Sequence, residues 1–91
     1  MDPSEALKRK IAKSLRAACS PHRVEVRLQS AGGAHVGGEV ISTRFDKLKP
    51  SERQDLIWKR LGADLSPHDA TRISFIVAVT PREREALEAA G

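Results

Sequence analysis

Only one cysteine occurs in the 91 residues, Cys19, so no intramolecular disulfide can form. Exported domains of this size commonly depend on several bridges, and the expected compartment is a reducing cytoplasm. Tyrosine is absent, and the aromatic residues reduce to Phe45, Trp58 and Phe75. The core must therefore be built from Val, Ile, Leu and Ala. Long hydrophobic runs are also missing. The longest, Ile73 to Val79, has strand length, far below the roughly 20 apolar residues that span a bilayer. Met1 to Lys10 carries charges but no apolar stretch of signal-peptide length. No membrane association is expected.

Signatures of catalysis are lacking too. The glycine-rich string Gly32 to Gly38 has neither phosphate-loop nor dinucleotide spacing, and no helix start follows it. Ser, His and Asp are present without any local nucleophile arrangement. A chain this short also leaves little room for an enclosed substrate pocket. An enzyme is not expected. His22, His35, His68 and Cys19 match no zinc-ligand spacing.

What is present describes one ordinary globular domain: 40% apolar, 31% charged, with a net charge of +4. Leu7, Ile11, Leu15 and Ala18 recur at helical spacing, which predicts a helix over Ser4 to Ala18 with Ser4 as N-cap. Arg9, Lys13 and Arg16 share its other side, as a solvated stripe or an anionic docking surface. Val24, Val26 and Leu28 alternate with charged or polar residues and predict a half-wet strand. Gly32-Gly33 marks the turn of an antiparallel hairpin with a second strand over Val36 to Thr43. Gly37 and Gly38 at that strand suggest a bulge or a close backbone approach.

A short helical turn follows at Phe45 to Leu48. A longer helix then opens at Pro50, with Ser51 and Gln54 at capping-box spacing, core positions at Ile57 and Leu61, and Gly62 after its end. Leu65 to Ala70 reads as a connection. Arg72 to Thr80 is an almost unbroken apolar strand, which implies cover on both faces. Its second face, Ile76 and Ala78, is open to cover by the first helix, the last helix or a dimer partner. Thr80-Pro81 with Glu83 starts a last helix through a second capping box. The expected fold class is α+β, a single domain ordered α-β-β-α-α-β-α. Its three-stranded mixed sheet carries helices mainly on one face.

Several strings then coincide with a known pattern. They are Val24 to Leu28 (Val-Glu-Val-Arg-Leu), His35-Val36, Val40 to Ser42 with Phe45 beyond, and Arg53 in a helix ending Trp58-Lys-Arg-Leu61. Thr80-Pro81 with Glu83 completes the set. In order and spacing they resemble the BolA-like family, whose fold is related to the class II KH fold, over roughly three-quarters of the chain. The resemblance implies a non-catalytic partner of a monothiol glutaredoxin, acting in iron–sulfur handling or stress response. It further implies a [2Fe–2S] cluster shared with that partner, with His35 at the loop-ligand position. Two positions depart from the family. Arg53-Gln54-Asp55 stands where Arg-His-Arg is usual, and Arg72 stands where the last strand usually opens with a ligand His. A guanidinium stays protonated and offers no lone pair to iron. The chain alone would hold no cofactor.

The alternative reading is a nucleic-acid-binding regulator. It draws on the KH-like topology and on Arg44, Lys47, Lys49, Arg53, Lys59 and Arg60 around the middle helices. Against it, the turn Asp46 to Pro50 lacks the G-x-x-G of KH modules, and aromatics for base stacking are scarce.

Overall fold

The computed structural model describes residues 4–90. Its elements are α1 (Glu5–Cys19), β1 (Val24–Ser30), β2 (Val36–Ser42), a 3-10 turn (Thr43–Phe45), α2 (Pro50–Asp64), α3 (Pro67–Thr71), β3 (Ile73–Val79) and α4 (Pro81–Ala90). They form a mixed sheet in the order β1-β2-β3. β1 and β2 pair antiparallel, Val26 opposite Val40, and β2 and β3 pair parallel. The expected α+β order and topology are therefore observed. No helix among the described residues is long and apolar enough to cross a membrane.

The hairpin turns where Gly32 and Gly33 adopt φ of 99° and 56°, a region that side chains disfavour. Ala31 N–H donates to the His35 carbonyl and His35 N–H to the Gly32 carbonyl, at 2.9 and 3.0 Å. Both ideas about the glycines of β2 hold. The β2–β3 register shifts between Val36 and Gly37, and a Cβ on Gly38 would lie 2.2 Å from the Arg27 carbonyl oxygen.

The core lies between the sheet and α1 and α2. Leu7, Ile11 and Leu15 meet Ile57 and Leu61 over Val36, Val40 and Phe45. Phe45, from the 3-10 turn, is fully buried. Val24, Val26 and Leu28 pack against the edge of this cluster, while Arg9, Lys13 and Arg16 lie exposed on the outer side of α1.

Four local expectations are corrected. The N-cap of α2 is Lys49, not Ser51, and its backbone N–H donates to the Glu52 carboxylate at 2.8 Å. With Pro50 at the first helical position, Glu52 falls at the third and reaches back. Gly62 lies inside α2, which continues to Asp64 and caps at Leu65. The presumed connection after it contains α3, because Ser66 Oγ accepts the Asp69 N–H at 3.1 Å and Pro67 starts the turn. Finally, Ile76 and Ala78 belong to the core face of β3. The second face, Phe75 and Val77, stays open at 43% and 47% exposure. An unbroken apolar run carries no parity, so the sequence leaves the buried face undecided.

Gly62 also makes a prediction. No atom lies within 4 Å of the place its Cβ would occupy. Gly62→Ala should therefore raise stability by about 0.5–1 kcal/mol through helix propensity alone. Urea unfolding followed by circular dichroism reads this, and an unchanged midpoint would count against a helical Gly62.

Candidate functional site

The hairpin loop and the start of β3 meet at one end of the sheet. Arg72 Nε donates to the Ala34 carbonyl at 3.0 Å, and the Arg72 carbonyl accepts the Val36 N–H at 2.9 Å. His35 thus stands beside Arg72 with the loop tied down on either side, and its side chain is exposed. The Arg72 guanidinium also lies 3.7 Å from the Asp69 carboxylate. Asp69 pairs with Lys10 of α1 at 3.0 Å. The Lys10 ammonium, more than Arg72, holds the Asp69 carboxyl below its ordinary range, against the opposing effect of burial.

The two positions that the family resemblance singles out are therefore neighbours in space. Their chemistry differs. An imidazole can donate a nitrogen lone pair to a metal, whereas a guanidinium cannot. Among the described residues no group of three or more His, Cys, Asp or Glu comes together. The donors here suit one contact to a cluster held elsewhere, through His35. They do not fit a pair of ligands from this chain.

Arg53 behaves unlike the other cations proposed for nucleic acid. It is 7% exposed. Its Nη1 and Nη2 donate to the two Glu83 carboxylate oxygens at 2.6 and 3.2 Å. The same guanidinium reaches the Ala78 carbonyl at 3.3 Å and, through Nε, the Leu48 carbonyl at 3.0 Å. Such bidentate geometry suits a structural fork. The structure thus takes Arg53 out of the phosphate-binding set, because its donors face protein. The Arg53 guanidinium holds the Glu83 carboxyl below the usual glutamate range, with help from the Thr80 N–H. The capping box expected at Thr80 is present: Thr80 N–H donates to Glu83, and Glu83 N–H to Thr80 Oγ1.

Gln54, expected in a cap, instead joins α2 to β3. Its Nε2 donates to the Ile76 carbonyl at 2.9 Å, and its Oε1 accepts Trp58 Nε1–H at 3.0 Å. Ile76 and Ala78 are alternate residues, and β2 lies on the other side of β3. Arg53 and Gln54 therefore occupy carbonyls along the outer edge of the sheet, where an unprotected strand invites pairing with another chain.

The remaining candidates lie apart. Lys47, Lys49, Lys59 and Arg60 are exposed and Arg44 is half-buried. Arg60 pairs with Asp64 at 2.9 Å. Cys19 is buried, and burial pushes its thiol up in pKa, with Ser42 and Arg44 opposing. His22 Nδ1 lies 3.3 Å from Thr43 Oγ1, and His68 is exposed on α3. Sequence reasoning missed Arg23 and Arg82, and placed Arg16 on the α1 stripe without linking it to Lys47; the four line two adjoining grooves. They come from separate elements, so no run of basic residues announces them.

No protein-family model matches the chain, and no curated protein does. Among solved structures it is similar to the crystal structure of a Bol-like protein from Babesia bovis. The two are 26% identical, over 89% of this chain and 92% of that one, with a TM-score of 0.60.

Proposed function

The chain is a BolA-like protein, and from that premise we propose that it is a non-catalytic docking protein whose partner is a monothiol glutaredoxin. The observation that carries the reading is the position of His35 between Ala34 and Val36, both held by Arg72, at one end of the sheet. Arg72 fixes the loop through the Ala34 carbonyl, which leaves an exposed imidazole on a short, restrained segment. Restraint matters because a loop already ordered loses less entropy on docking. Where BolA-like proteins usually supply a second ligand, this chain supplies a fixed positive charge. Its contribution to a shared [2Fe–2S] cluster is therefore confined to His35, and the other ligands come from the partner side.

An anaerobic titration of the chain into [2Fe–2S]-loaded monothiol glutaredoxin tests this, with visible absorption and circular dichroism as readouts. The expected result is a complex with an altered cluster spectrum, and His35→Ala removes the spectral change. Calorimetry with the cluster-free glutaredoxin separates docking from ligation. Absence of a complex in both titrations would overturn the proposal.

A second reading, nucleic-acid binding, is favoured by a separate observation. Among the described residues, Lys47, Lys49 and Lys59 are exposed and have no carboxylate within ion-pair distance. Such cations lower the cost of approach by a phosphate backbone. Binding would then weaken steeply with salt, in contrast to the glutaredoxin complex.

A further inference from the structure

Beyond the end of the sheet that carries His35, the opposite end holds a concentration of unpaired cations. Two open grooves meet there. One, of about 780 Å³, is lined by Arg16 at the end of α1 and Arg23 at the start of β1. The other, of about 610 Å³, is lined by Lys47 and Arg82. Thr43 and Pro81 line both, so the two form one channel with a shared saddle. All four cations are exposed, and among the described residues none lies within ion-pair distance of a carboxylate.

The carboxylates that line the channel are mostly committed elsewhere. Glu25 is held by Arg27, and Glu83 by Arg53. Asp46 alone remains without a basic partner. Five cations and three carboxylates line the channel, a local net charge of +2.

We propose that this channel binds the phosphodiester backbone of single-stranded nucleic acid, without reading its bases. The inference rests on the second reading above and moves its site from the face of α2 to the channel. Cations from four separate elements around a recessed channel suit a flexible chain of repeating anions, which can follow the groove. No aromatic lines the channel, so stacking on the bases has no platform there. Thr43 and the arginines supply donors that match phosphate oxygens. Sequence preference should accordingly be weak.

The test uses a fluorescein-labelled 20-nucleotide single strand of mixed sequence, with anisotropy measured between 50 and 200 mM salt. About four phosphate contacts predict a loss of affinity of roughly 50-fold over that range. Arg16→Ala with Arg23→Ala removes about half of them, and the loss should fall to roughly sevenfold. Arg82→Ala should act in the same direction by a smaller amount, whereas Lys49→Ala with Lys59→Ala, outside the channel, should leave the salt slope unchanged. If the α2 pair lowers the slope and the channel variants do not, the channel is overturned while the nucleic-acid reading survives. If the wild-type chain fails to bind at 50 mM salt, both fall. Equal affinity for the matching duplex overturns the single-strand assignment. Equal affinity for polyglutamate overturns nucleic acid as the ligand.

Discussion

Replacing Arg53 with alanine should lower stability by about 3 kcal/mol and the melting temperature by roughly 15 °C. The guanidinium makes hydrogen bonds to Leu48, Ala78 and both Glu83 oxygens. Alanine removes all of them and frees the first turn of α4. The charge pairing itself contributes the smaller part, because the Glu83 side chain is 46% exposed and solvent screens it. Arg53→Lys should recover only part of the loss, since an ammonium cannot form the fork. The ion pair also gives a pH signature. The folded-state pKa of Glu83 is lowered, so its contribution is full above the ordinary glutamate value and vanishes as pH falls through the lowered one. Melting temperatures between pH 7 and pH 2 should converge for wild type and Glu83→Gln at the acid end. A gap that stays constant to pH 2 would show that Glu83 does not supply the pairing energy, and a cost below about 1 kcal/mol for Arg53→Ala would show the latch to be idle.

The second large effect concerns two adjacent glycines that should respond very differently. A Cβ at Gly38 would sit 2.2 Å from the Arg27 carbonyl oxygen and 2.9 Å from the Leu28 Cα. Both are backbone atoms of the paired strand, and neither can move without parting β1 from β2. Gly38→Ala should cost more than about 3 kcal/mol, within the range of severe backbone effects. At Gly37 the obstacle is the Phe75 ring, 2.3 Å from the built Cβ. That ring is 43% exposed and free to swing outward. Gly37→Ala should cost about 1 kcal/mol, and Phe75→Ala in the same chain should cancel most of it, as expected for coupled neighbours. Urea midpoints of the single and double variants decide the matter. Equal costs at the two glycines would mean that the backbone at β1 yields as easily as the ring.

Much of the fold is legible in local chemistry. The helical spacing of Leu7, Ile11 and Leu15, the alternation of Val24, Val26 and Leu28, and the paired glycines at 32 and 33 each specify one answer. The start of α4 is equally plain, because Thr80, Pro81 and Glu83 each suit their position in the capped turn. Arg53 is the instructive miss. Taken as a cation it belongs on the surface; taken by position it stands four residues before Ile57 and eight before Leu61, on the buried stripe of α2. That spacing was the available signal. Its partner Glu83 lies across the sheet, where no local pattern points. The buried parity of β3 was hidden for a related reason: Phe75, Ile76, Val77 and Ala78 are all apolar, and the register shift at Val36–Gly37 sets which of them face the helices. The cation channel was invisible because its residues come from α1, β1, the segment before α2, and α4. The adjacency of His35 and Arg72 follows from the parallel pairing of β2 with β3, which brings the start of both strands to one end.

That parallel pairing also bears on how the chain folds. The β1–β2 hairpin closes through a short loop, an event of microseconds. β3 can join only after the whole segment between Ser42 and Ile73 has crossed back along the sheet. Its outer carbonyls are met by Arg53 and Gln54, so the docking of β3 also joins it to α2. The third strand thus carries the largest loop-closure cost in the sheet and is expected to dock after the hairpin. Until it docks, the hairpin exposes an unpaired β2 edge, and the speed of the crossover sets how long a nascent chain is open to association with its neighbours.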